Sequence, residues 1–136
     1  MPDVYVYDPD ILRHVLTKKY CFKYFIQNNI HSEVKFITDD TTEAKEVFSA
    51  VTEQSIFILN CDEYTDELID SLKQGNPESY IIIVANDFNE ILRNMKSGHT
   101  PAGFILRPMC QADINKTIGD IISDYTAKNK RCGMAG

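Results

Sequence analysis

Apolar residues fall along the chain in two alternating patterns, short continuous runs and runs at helical spacing. Val4-Tyr5-Val6-Tyr7 is a short β-rich run. It ends at Asp8-Pro9-Asp10, a turn that also suits the start of a helix. Ile11, Leu12, Val15, Leu16, Phe22, Phe25 and Ile26 follow at the period of one helical face, which predicts that this face is buried. Asn28-Asn29 stops that helix, and Glu33 to Ile37 alternates weakly as a second strand. Thr41-Thr42-Glu43 opens a helix with an expected inner face of Ala44, Val47, Phe48 and Val51. Ile56-Phe57-Ile58-Leu59 is apolar throughout, the pattern of a central strand covered on both faces.

The second half repeats the alternation. Leu68, Ile69 and Leu72 mark a helix closed by Gly75-Asn76-Pro77, and Tyr80 to Val84 reads as another buried strand. Phe88, Ile91, Leu92 and Met95 predict a short helix ending at Gly98. Gly103 to Leu106 is the fifth strand, and Ile114, Ile118, Ile121, Ile122 and Tyr125 make a long last helix. Strands and helices in strict alternation require right-handed crossovers and a parallel sheet with helices on both faces. The expected fold is therefore α/β, a doubly wound (βα)5 sheet in the order 2-1-3-4-5. Residues 1–126 carry the pattern; residues 127–136 lose it and read as a tail or the start of a linker.

Composition narrows the reading. The chain has 136 residues, 43% hydrophobic and 25% charged, which suits one globular domain. Its formal charge of −6 argues against this segment gripping DNA by itself, because backbone binding needs a basic face. Cys21, Cys61, Cys110 and Cys132 lie far apart without a C-x-x-C pair, and no signal peptide or membrane-length apolar run is evident. A cytoplasmic protein with reduced thiols is expected. His14, His31 and His99 share no spacing that suggests a metal site, and no dinucleotide or Walker motif appears.

Doubly wound sheets bind ligands at the carboxyl ends of their strands. Here those ends are Asp8 to Asp10, Asn60 to Asp62, Ala85-Asn86 and Arg107-Pro108. Over residues 3–126 this constellation resembles the phosphorylation site of response-regulator receiver domains, and so a flavodoxin/CheY-like fold. The aromatic-rich first helix and short fourth helix are most similar to receivers of LytTR-type regulators. The resemblance implies two acids after strand one, an aspartate nucleophile after strand three, a hydroxyl residue after strand four, and Lys-Pro after strand five. The acids hold Mg²⁺, and the hydroxyl and lysine bind the phosphoryl oxygens. On these positions Asp8 keeps the first acid, Pro9 replaces the second with Asp10 beyond it, and Asn60 falls on the phosphoacceptor. Ala85 replaces the hydroxyl residue and Arg107 the lysine, while Pro108 is retained.

An amide does not accept a phosphoryl group and brings no charge for Mg²⁺. A single Asn60 change could freeze an engineered receiver, but Pro9 and Ala85 favour natural degeneracy. The expectation is a pseudo-receiver: not an enzyme, acting in signal transduction and transcription regulation through protein contacts. The alternatives are a receiver phosphorylated on Asp62, an engineered Asp-to-Asn variant, or, weakest, a flavodoxin-like small-ligand binder, since the loops lack a phosphate cradle. No cofactor is expected; weak Mg²⁺ binding by Asp8, Asp10 and Asp62 is the one alternative to that reading. Arg107 is expected to bridge Asp8, Asp10 or Asp62 bidentately, as a fixed internal cation. Phe104, at the switch-aromatic position, is expected to pack inward. The resemblance further implies a homodimer face on the fourth helix, fifth strand and fifth helix, a sensor histidine kinase as partner, DNA contact only through a carboxyl-terminal output domain, and no membrane.

Overall fold

The computed structural model describes residues 1–96 and 98–135, with side chains described through Asn129. Its elements are β1 (Val4–Tyr7), α1 (Ile11–Gln27), β2 (Val34–Thr38), α2 (Thr41–Ser49) and β3 (Ile56–Asn60), then α3 (Thr65–Gly75), β4 (Tyr80–Ala85), α4 (Phe88–Asn94), β5 (Gly103–Leu106) and α5 (Gln111–Ala135). All strand pairs are parallel and the order is β2-β1-β3-β4-β5. The fold is thus the flavodoxin/CheY-like α/β fold that the alternation predicts. Among the described residues, no helix is long and apolar enough to cross a membrane.

Alternation along each strand divides the core between the two faces of the sheet. Val4, Val6, Ile56, Ile58, Ile82 and Val84 pack with Cys21, Phe25, Ile114 and Ile118, beneath α1 and α5. Tyr7, Phe57, Leu59, Ile81 and Ile83 pack with Phe48, Leu68 and Leu72, beneath α2 and α3. Helix starts follow local chemistry: Asp10, Asp40 and Asp87 each accept a backbone N–H in the first turn of α1, α2 and α4. The β3 strand extends one residue past the apolar run, so that Asn60 still pairs with Val84.

Two expected apolar faces are buried only in part, α1 at Phe25 and α4 at Ile91. In α1 the buried residues are Thr17, Cys21, Tyr24 and Phe25, while Ile11, Leu12, Val15, Leu16, Phe22 and Ile26 are exposed, Leu12 at 79%. Arg13 explains the rotation, because its ion pair with the buried Asp8 draws that edge of the first turn onto the sheet. The α4 helix stops at Asn94, short of Gly98, and buries Ile91 but exposes Phe88 and Leu92. At the other end, the α5 backbone stays helical to Ala135, beyond the limit of the apolar pattern.

Candidate functional site

The carboxyl ends of β1, β3 and β5 converge on one buried carboxylate. Asp8 and Asn60 are each only 6% exposed. Asp8 Oδ1 accepts from the Asp10 backbone N–H at 2.9 Å, and both its oxygens accept from Arg13 Nε at 3.0 Å. Arg13 Nη2 adds a bond of 2.8 Å. Arg107 Nη2 reaches Asp8 Oδ2 at 3.2 Å and Asn60 Oδ1 at 2.5 Å, and its Nη1 donates to Asn86 Oδ1 at 3.2 Å. Arg107 therefore ties three strand ends together, since Asp8, Asn60 and Asn86 follow or close β1, β3 and β4.

Asp62 lies beyond the end of β3 but joins the same network. Its Oδ2 accepts from the Tyr7 hydroxyl at 2.8 Å and from Asn60 Nδ2 at 3.2 Å. Its Oδ1 accepts the Tyr64 backbone N–H at 2.9 Å, an Asx turn that leads into α3. Burial pushes the Tyr7 phenol up to about 12, and the neighbouring Asp62 carboxylate adds to the shift. Burial lowers the Arg107 value, and the nearby Arg13 charge acts in the same direction. For Arg13 burial is outweighed by the hydrogen bond and charge of Asp8, so its value rises.

Several sequence expectations change at this point. Arg107 does bind Asp8, but through one nitrogen; the fork that grips Asp8 belongs to Arg13. Asp10 does not enter the network as a third acid. It caps α1, accepting the Leu12 N–H at 2.9 Å, and lies 3.9 Å from Arg13 on the exposed rim. Phe104 is 46% exposed, against the expected inward packing. Its neighbour Ile105 takes the core position beneath α1 and α5, so Phe104 lies on the other side of β5. Ala85 is fully buried, and its carbonyl accepts the Arg107 backbone N–H at 2.8 Å. Pro108 follows Arg107 through a cis peptide bond.

Sequence reading missed Arg13 and Tyr7. Arg13 carried one usable signal: it is a cation in the first turn of α1, where the helix dipole favours an anion. A fixed carboxylate nearby offsets such a placement.

The donor set does not suit Mg²⁺. Magnesium needs anionic or neutral oxygens in an open octahedral arrangement, whereas Asp8 faces two guanidinium groups and the oxygens of Asp62 are taken by hydrogen bonds. Among the described residues no three His, Cys, Asp or Glu side chains converge in ligating geometry.

No family model matches the chain, and no curated protein matches it in sequence. Solved structures do resemble it. A response regulator receiver domain protein from Clostridium thermocellum matches with a TM-score of 0.74 at 16% identity, covering 93% of this chain and 98% of that one. A response regulator from Thermotoga maritima gives 0.66 at 17% identity, covering 90% and 98%. The pilus assembly protein CpaE from Caulobacter crescentus gives 0.66 at 15% identity, covering 89% and 95%. At such identities the likeness concerns backbone architecture. The chain has the fold of response-regulator receiver domains.

Proposed function

We propose that this domain is an atypical receiver of a two-component regulator, non-enzymatic, which signals through protein contacts without phosphorylation at residue 60. The observation that carries this reading is the Arg107 guanidinium, bonded at once to Asp8 and Asn60. A side chain that donates to both positions occupies the place of the metal and the incoming phosphoryl group, and supplies a permanent positive charge there. Asn60 is no nucleophile, and Asp62 has both oxygens engaged as acceptors. Partner contact is drawn from the face of α4, β5 and α5; Phe88 and Leu92 are exposed on α4, and Phe104 and Leu106 on β5. That face suits a homodimer. A sensor kinase is the upstream partner implied by the receiver fold, and a LytTR-type output domain would carry transcription regulation.

Treatment with acetyl phosphate or beryllofluoride and Mg²⁺ tests the reading, followed by intact mass and backbone amide NMR. No adduct and no shift at the strand ends are expected. An adduct on Asp62 would replace this reading with phosphoryl signalling. Asn60→Asp, treated in the same way, distinguishes an engineered block from natural degeneracy. With Pro9, Ala85 and Arg107 still in place it should remain unphosphorylated.

A further inference from the structure

A cavity of about 450 Å³ adjoins the Asp8 network, between α1 and the carboxyl ends of the central strands. Val6, Ile58 and Val84 form its sheet wall, Leu16 and Thr17 its α1 wall, and Met109 closes it from the loop after β5. It is a cleft open to solvent, with the exposed Leu16 at its edge, and so a space that a ligand can enter. It lies within the range of small-molecule sites, roughly 300–1,000 Å³, and shares their mostly apolar lining with a few polar groups.

Those polar groups are the network itself. Asp8 is shared by Arg13 and Arg107, so two guanidinium groups face one buried carboxylate. Asp10 also pairs with Arg13, at 3.9 Å, but Asp10, Asp62 and Glu90 do not line the cavity; its charged lining is Asp8 with Arg13 and Arg107. A second observation points to a ligand. Thr17 lines the cavity at 4% exposure, and no group among the described residues bonds its hydroxyl. That hydroxyl is open to the cavity, where a ligand atom can bond it.

We propose that this cavity binds a small, mainly apolar organic molecule ending in one anionic acceptor group, a carboxylate or its equivalent. The apolar body lies against Val6, Ile58 and Val84; the acceptor end meets Arg107, with the Thr17 hydroxyl as a second donor. The inference rests on the reading that this site does not take phosphate, and it names what would occupy it instead. Such a ligand touches both α1 and the loop that leads into α5, so its arrival can bias the surfaces on which partner contact depends.

Anilinonaphthalene sulfonate, an apolar anion, serves as the probe, with uncharged phenylnaphthylamine beside it. One saturable site is expected by fluorescence, with backbone amide shifts at Val6, Thr17, Val84 and Met109. Met109→Trp, which fills the cavity from a loop, should weaken both probes at least about tenfold. Arg107→Met should weaken the sulfonate and spare the uncharged probe. Val15→Gln with Ile26→Gln, on the outer face of α1, should change neither. No saturable binding to the unmodified protein overturns the proposal. So do shifts confined to Ile11, Val15 and Phe22, or full affinity in Met109→Trp. A parallel beryllofluoride titration keeps the two readings apart, because an adduct there overturns the phosphate-free reading and leaves the probe result to be judged alone.

Discussion

Asp8 is the residue on which the site depends. A buried carboxylate needs compensation, and here it has two arginines and a backbone N–H. Arg107→Ala and Arg13→Ala should each lower stability by about 1–3 kcal/mol, because the other arginine still neutralises Asp8. The double variant should lose more than the sum, because only there is the carboxylate left buried and unpaired. Urea unfolding of the four proteins measures the coupling; simple additivity would show that the arginines do not share Asp8. Asp8, Asn60 and Arg107 were legible in the sequence because they end strands. Arg13 was not, because its partner is set by the angle at which α1 leaves the Asp8-Pro9-Asp10 turn.

Among the elements, α1 departs most from its pattern. Apart from Phe25, its apolar periodicity predicts the wrong face, because periodicity cannot distinguish a buried stripe from an exposed one when both sides carry large side chains. The inner side holds Thr17, Cys21, Tyr24 and Phe25, and the outer side keeps Val15, Phe22 and Ile26. By contrast β5 has the bounds expected for it and owes its position to a glycine. A Cβ at Gly103 would come within 2.6 Å of Thr117 Cγ2 on α5. The Thr117 hydroxyl is bonded to the Asp113 carbonyl at 2.7 Å, which resists rotation of that side chain. Gly103→Ala should therefore destabilise by about 1–3 kcal/mol. Adding Thr117→Ser, which removes the methyl group, should restore most of the loss in thermal melts, and failure to do so would place the strain elsewhere.

For the whole molecule, burial sets the alkaline limit. Cys21 is raised by burial from 9.0 to about 12 and Tyr7 from 10.0 to about 12; burial and Asp124 raise Tyr80 as well. Each group holds its proton more tightly when folded, so its contribution is complete below the unfolded value and is lost as pH rises through the folded one. The melting temperature should hold steady up to about pH 9 and then fall towards pH 12. In Cys21→Ala and Tyr7→Phe, melting curves across that window should fall less steeply. Fold class, strand order and the strand-end positions of the site follow from the sequence alone. Continuous apolar runs separated by helical ones leave a parallel sheet few arrangements, and its ligand edge is fixed by chain direction. Tertiary structure decided which side of α1 is buried, which arginine grips Asp8, and that Phe104 faces outward. It also decided that a cavity lies beside the site. These depend on helix rotation and side-chain reach between elements distant in sequence, which no local pattern encodes.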